Sequence, residues 1–129
     1  MAITHLNPEG LHKNPAFSQG VMAEGVKKLI VVGGQNGIGP DGKVVADDLG
    51  AQTEQALKNV LAVLKAAGAS QEHVIKLTIA MVQGQDVNAG FAASQKVWGK
   101  HATAITVLIV SGLGPPGALV EIEALAALT

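Results

Sequence analysis

The chain of 129 residues contains no cysteine, and its nine basic residues are all lysines, so arginine is missing as well. Without cysteine there can be no disulfide, no thiolate metal ligand and no cysteine nucleophile, although this leaves the compartment open. Without arginine there is no planar guanidinium fork, the group that grips a carboxylate through two parallel hydrogen bonds. Aromatic residues are almost absent, with two phenylalanines and one tryptophan, and the net charge is −1. A chain of this kind lacks both the basic footprint and the stacking platform of a nucleic-acid binder. No apolar run approaches the ~18 residues needed to cross a bilayer. The opening Met1-Ala2-Ile3-Thr4-His5-Leu6-Asn7-Pro8 has no charged leader followed by an apolar core. The expectation is a cytoplasmic protein with no nucleic-acid and no membrane partner.

Charge is also scarce, at 15% of residues against 48% apolar, where soluble domains carry roughly 25% charged residues. More surface than usual should therefore be buried, as a homo-oligomer would achieve. The length fits a single domain spanning residues 1–129. Strands are predicted over Phe17 to Ala23 and Lys28 to Val32, the latter running into Gly33-Gly34-Gln35. After the turn Pro40-Asp41-Gly42-Lys43, a short strand is expected at Val44-Val45. Asp47 and Asp48 are suited to cap a helix that runs to about Ala67 and stops at Gly68. Leu57, Val60, Leu61 and Leu64 form its apolar stripe. Val74 to Val82 reads as a strand and Asp86 to about Lys100 as a second helix, which Gly90 weakens by roughly 1 kcal/mol. Ala104 to Val110 and Leu119 to Ala126 read as final strands around a Gly/Pro loop. This order predicts an α+β fold, a mixed sheet with two helices on one face.

Glu121 and Glu123 lie two apart on a predicted strand and share a face, flanked by Val120, Ile122 and Leu125. A carboxylate in such company can handle a proton or orient a water, or it can simply serve a subunit contact. Thr106 falls on the face of Leu108 and Val110, opposite Ile105, Val107 and Ile109, where its hydroxyl can meet a neutral ligand or merely suit a strand. Gly112-Leu113-Gly114-Pro115-Pro116-Gly117 has no following helix, so it is a hairpin connection rather than a phosphate loop. Gly33-Gly34-Gln35-Asn36-Gly37 lacks dinucleotide-binding spacing. His5, His12, His73 and His101 are scattered, which gives no metal site. Ser18, Ser94 and Ser111 have no nucleophile setting. No cofactor is implied.

The C-terminal stretch Thr103 to Val110, Ser111 to Gly117 and Ala118-Leu119-Val120-Glu121-Ile122-Glu123-Ala124 resembles the signature of the Rid family (YjgF/YER057c/UK114). Asn14-Pro15-Ala16-Phe17-Ser18-Gln19-Gly20 resembles that family's N-terminal segment, with Phe17 in place of a tyrosine. Val32-Gly33-Gly34-Gln35 resembles its Ser-Gly-Gln segment, with Gly33 in place of a serine. The resemblance spans nearly the whole chain. It implies a chorismate mutase-like (YjgF-type) fold, assembly as a homotrimer and ligand sites in the clefts between subunits. Thr106 falls where the family keeps an arginine, and Glu121 falls on its glutamate. Phe91 and Ser94 stand where many members have asparagine and tyrosine.

The family's studied members hydrolyse reactive enamines and imines to carbonyl compounds and ammonia. For this chain the resemblance implies a small-molecule enzyme of that type, an enamine or imine deaminase with Glu121 catalytic. Thr106, Phe17, Gln35, Gly33, Phe91 and Ser94 would shape the pocket. Loss of the arginine implies an atypical substrate preference, away from a simple 2-imino acid held by its carboxylate, unless a lysine from an adjoining chain meets it. The alternative is a non-catalytic metabolite-binding or regulatory trimer on the same scaffold, favoured by a more apolar cleft.

Overall fold

A computed structural model describes residues 2–129 of the chain. Two short strands, β1 (Ile3–Leu6) and β2 (Gly20–Ala23), pair as an antiparallel ribbon. There follow β3 (Lys28–Asn36), α1 (Leu49–Ala66), β4 (Val74–Val82), α2 (Val87–Trp98), β5 (Ala104–Val110) and β6 (Val120–Leu128). The last four strands form one mixed sheet in the order β3-β6-β4-β5, with β4 and β5 parallel and β6 antiparallel to both its neighbours. The chain thus crosses over through α1 and again through α2, and β6 returns to fill the gap between β3 and β4. This is the expected α+β arrangement, with both helices on one side of the sheet.

The helix ends follow from local chemistry. The Asp48 carboxylate accepts a hydrogen bond from Ala51 N at 2.8 Å, and the Asp86 carboxylate accepts one from Asn88 N at 3.0 Å, relieving amides that a helix start leaves unpaired. Beyond α1, Gly68 takes φ +75°, and Gly99 does the same after α2, a left-handed turn that costs glycine little. Leu57, Val60 and Leu64 are fully buried against β3 and β6, while Leu61 is only partly covered. Each fully buried side chain in this stripe is worth about 1.5–3 kcal/mol.

Several boundaries differ from expectation. The strand predicted from Phe17 begins only at Gly20, because Asn14 to Ser18 turns and then makes a single parallel bridge from Ser18 to Ala104 at the sheet's edge. The strand predicted to end at Val32 continues to Asn36, through a bulge at Gly33-Gly34. Val44 makes one isolated bridge to Ile38 rather than a strand. Ile3–Leu6 was not foreseen as a strand. It is held by its ribbon partner and by His5, whose Nδ1 lies 2.8 Å from Ser18 Oγ and 3.0 Å from Ala102 O.

One polar side chain sits in the core and ties the loops together. Gln52 is wholly buried on α1, donates to Ala46 O at 2.8 Å and Gly117 O at 3.0 Å, and accepts from Leu119 N at 2.8 Å. A Cβ on Gly37 would lie 2.5 Å from Gln52 Cα, so the chain passes here only because that residue is glycine.

Candidate functional site

Strand alternation gives the sheet two different faces. Leu77, Met81, Val120, Ile122 and Ala124 point toward the helices and form the core. The opposite face carries Leu29, Val31, Leu108 and Leu125, and among them the polar residues Lys76, Thr78, Thr106, Glu121 and Glu123. Among the described residues no element packs over this face, and Leu29 and Val31 are 62% and 68% exposed.

The register fixes how these polar residues lie. Glu123, Thr78 and Thr106 form one row across β6, β4 and β5, while Glu121, Ala80 and Leu108 form the next. At about 5 Å per strand, Glu123 and Thr106 stand about 10 Å apart. Thr78 and Ala80 make a low floor between taller side chains. From one pair further along β4, Lys76 leans into the first row and donates from Nζ to Thr106 Oγ1 at 2.5 Å. An ammonium from the same chain thus stands beside the Thr106 hydroxyl.

Glu121 is partly buried and held from one side. Its Oε1 accepts from Asn36 Nδ2 at 3.2 Å, and the same amide donates to Val120 O at 3.0 Å. Asn59 on α1 fixes the segment that carries Asn36, donating to Asn36 O at 3.3 Å and Ile38 O at 2.9 Å; Asn59 Oδ1 in turn accepts from Gln55 at 2.9 Å. The carboxylate lies over Gly34, where a Cβ would come within 2.8 Å of Glu121 Cδ. Glycine at the bulge therefore makes the space for the carboxylate. The other Glu121 oxygen, Oε2, lies nearest Gly34 and has no hydrogen-bond partner among the described residues.

The remaining predicted site residues lie elsewhere. Gln35 pairs with Ile122 and so belongs to the helix-facing side; its amide donates back to Gly33 O at 3.1 Å. Gly33 sits in the bulge beside Gly34. Phe17, Phe91 and Ser94 gather at the mouth of a cavity of about 710 Å³ between α2 and the sheet, on the far side from Glu121 and Thr106. Ser94 Oγ donates to Phe91 O at 2.7 Å, and the His12 ring packs edge-on against Phe17 at 5.8 Å. Within one chain the structure therefore joins Thr106 with Lys76 and Glu121 with Asn36 on one face, and Phe17 with Phe91 and Ser94 on the other.

Lys76 and Asn36 were both missed in the sequence. Lys76 lies thirty residues from Thr106, and only the parallel register brings them together. Asn36 escapes a sequence reading because the strand predicted over Lys28 to Val32 stops short of the bulge that turns its side chain toward Glu121. Ser18 Oγ donates to Ala102 O at 2.5 Å, which commits the hydroxyl to structure. Among the described residues no group of three or more His, Asp or Glu is placed to hold a metal ion, and no helix is long and apolar enough to cross a membrane.

Comparison with known proteins identifies the family. Residues 10–128 match the family described as Endoribonuclease L-PSP. The chain is 32% identical over 111 residues to the human 2-iminobutanoate/2-iminopropanoate deaminase, covering 85% of this chain and 78% of that one. It is 32% identical over 130 aligned positions to Protein HMF1 of Saccharomyces cerevisiae, covering 97% of each. Among solved structures, the Rid family protein YyfB of Yersinia pestis superimposes with a TM-score of 0.87 at 30% identity, over 99% of this chain and all of the other. Rv2704 of Mycobacterium tuberculosis, described as a member of the YjgF/YER057c/UK114 family, gives a TM-score of 0.68 at 29% identity, over 98% of this chain and 99% of that one. In sequence and in fold, the chain belongs to the Rid (YjgF/YER057c/UK114) family.

Proposed function

We propose that the protein hydrolyses a reactive imine or enamine on the open sheet face, as a homotrimer in which neighbouring chains complete the site. The observation that carries this reading is Glu121, a carboxylate fixed by Asn36 over Gly34 with one oxygen left free, on the same face as the Lys76–Thr106 pair. The names of relatives such as the human 2-iminobutanoate/2-iminopropanoate deaminase support the reaction class. In this reaction a water oxygen bonds to the imine carbon while Glu121 takes one of its protons. The nitrogen is protonated, the C–N bond of the carbinolamine breaks as its hydroxyl proton is removed, and ammonia leaves behind a carbonyl product. Water and imine supply every atom of ketone and ammonia, so no cofactor is needed.

The substrate contact differs from an arginine clamp. Lys76 offers a point charge and Thr106 a hydroxyl, neither of which fixes a carboxylate in one plane. The site therefore discriminates weakly between a 2-imino acid and an uncharged imine of similar size. The ribonuclease in the family description is not carried over to this chain, whose −1 charge and three aromatic residues give RNA little to bind.

The test is ammonia release from freshly generated 2-iminopropionate and from an uncharged imine, by the native chain and by Glu121→Gln. The substitution should reduce kcat by at least a hundredfold, the usual scale of a lost general base, while ligand affinity and assembly stay intact. Unchanged turnover would remove Glu121 from the reaction. Silence of the native chain on both imines would leave the regulatory, metabolite-binding reading in its place.

A further inference from the structure

We infer that Asn36 is a positioning residue that gives the two oxygens of Glu121 separate tasks, an assignment that rests on the deaminase reading. Oε1 is held by the Asn36 amide, and Oε2 is the oxygen that takes the proton from water.

Asn36 and Glu121 are cross-strand partners at the end of the β3–β6 pairing, just past the bulge. The Asn36 amide nitrogen carries two hydrogens, and both are used: it donates to Val120 O at 3.0 Å and to Glu121 Oε1 at 3.2 Å. A flipped amide would turn its own oxygen onto these two acceptors, so the donor side stays on Glu121. A hydrogen bond to an ionised acceptor is stronger than one to a neutral acceptor. A proton added at Oε1 would therefore compete with the amide hydrogen, whereas one added at Oε2 leaves that bond in place. Oε2 is also the first atom that a Cβ on Gly34 would meet. Glycine at this position thus keeps the space beside Oε2 open. As the water oxygen bonds to the imine carbon, the proton it gives up goes to Oε2.

The amide is held in this pose from α1. Asn36 O accepts from Ile38 N at 2.8 Å and from Asn59 Nδ2 at 3.3 Å, and Asn59 also donates to Ile38 O at 2.9 Å. Asn59 Oδ1 accepts from Gln55 Nε2 at 2.9 Å, one turn earlier on the same helix. On the other side of Asn36 O, the next residue, Gly37, is buried against Gln52 with no room for a Cβ. The backbone at Asn36 is fixed by these contacts and its side chain by Val120 O. Such anchoring matters because misplacing a reacting group by about 1 Å can cost on the order of a hundredfold in rate.

The test is steady-state turnover of 2-iminopropionate and of an uncharged imine by the full-length protein. Asn36→Leu keeps much of the volume and removes the amide. It should lower kcat by about ten- to a hundredfold, the worth of a hydrogen bond to a charged group, with KM for both imines unchanged. Asn36→Asp keeps the shape but sets a carboxyl against Oε1, and two carboxylates this close hold a proton between them. Its kcat relative to native should rise as the pH is lowered, whereas that of Asn36→Leu should not; a merely structural role would give both variants the same profile. Gly34→Ala crowds Oε2 and should lower kcat at least as far as Asn36→Leu, which keeps the test open should a variant at Asn36 fail to fold. Apart from turnover, the Asn36 side-chain amide resonance should move in Glu121→Leu, and a resonance that stays in place would overturn the contact itself. The inference is overturned if Asn36→Leu and Gly34→Ala both work at the native rate, or if KM rises while kcat stays. An inactive Glu121→Gln beside a fully active Asn36→Leu would strike this assignment and leave the deaminase reading standing. A native chain silent on both imines would remove the reading and this assignment with it.

Discussion

In the proposed site, Lys76 is the residue that would set what is recognised. Its ammonium meets Thr106 Oγ1 on the open face, where it can attract a carboxylate without orienting it. Lys76→Met should therefore raise KM for 2-iminopropionate about tenfold, the low end for a charge-assisted bond at an exposed position, and leave kcat nearly unchanged. KM for an uncharged imine should not move. Added salt should narrow the difference between native and variant for the charged substrate, since an exposed charge is screened. Steady-state kinetics on both imines at two ionic strengths checks this, and equal effects on the two substrates would mean that Lys76 acts through structure. The sequence made Thr106 and Glu121 legible, because a family signature fixes their positions along the strands. It could not reveal Lys76 or Asn36, whose roles depend on which strands lie side by side and on a bulge at two glycines.

Elements were easier to read than their junctions. Both helices, β4 and β5 follow from periodicity and caps, since an 18-residue helix with a buried stripe and a nine-residue aliphatic strand leave few alternatives. The segments that went unread or were misplaced are short and held by long-range partners: Ile3–Leu6 by β2, Ser18 by Ala104, and Val44 by Ile38. Gln52 belongs to this second kind. Its position in α1 looks like an ordinary polar helix residue, yet it lies inside the core and satisfies three backbone groups of two loops. Gln52→Leu keeps the side-chain volume but leaves Ala46 O, Gly117 O and Leu119 N without that partner. Chemical denaturation should show a loss of about 2–4 kcal/mol, the cost of buried groups left unpaired, with the denaturant slope unchanged. A loss below about 0.5 kcal/mol would mean that the loops re-pair with water.

At the scale of the whole molecule, the low charge content and the uncovered sheet face are the same fact. Leu29, Val31, Leu108 and Leu125 form an apolar surface that a solitary soluble chain rarely leaves open. The candidate site residues are divided by that same sheet, with Glu121 and Thr106 on the open face and Phe17 and Phe91 at the cavity mouth on the other. A side chain cannot pass through a sheet, so only a second copy can bring Phe17 and Phe91 to Glu121. Light scattering on the native protein should accordingly give three times the 13.1 kDa mass of one chain. Val31→Lys places a charge on the most exposed apolar position of that face, where burial in an interface would cost several kcal/mol. It should yield single chains that keep native helical content but lose imine turnover. Addition of a Glu121→Gln chain to the Val31→Lys chain should not restore it, since the Val31→Lys chain, which alone keeps Glu121, cannot enter the interface. A native protein that is monomeric and active, or a Val31→Lys monomer with full turnover, would show that one chain completes the site alone and that the apolar face serves another purpose.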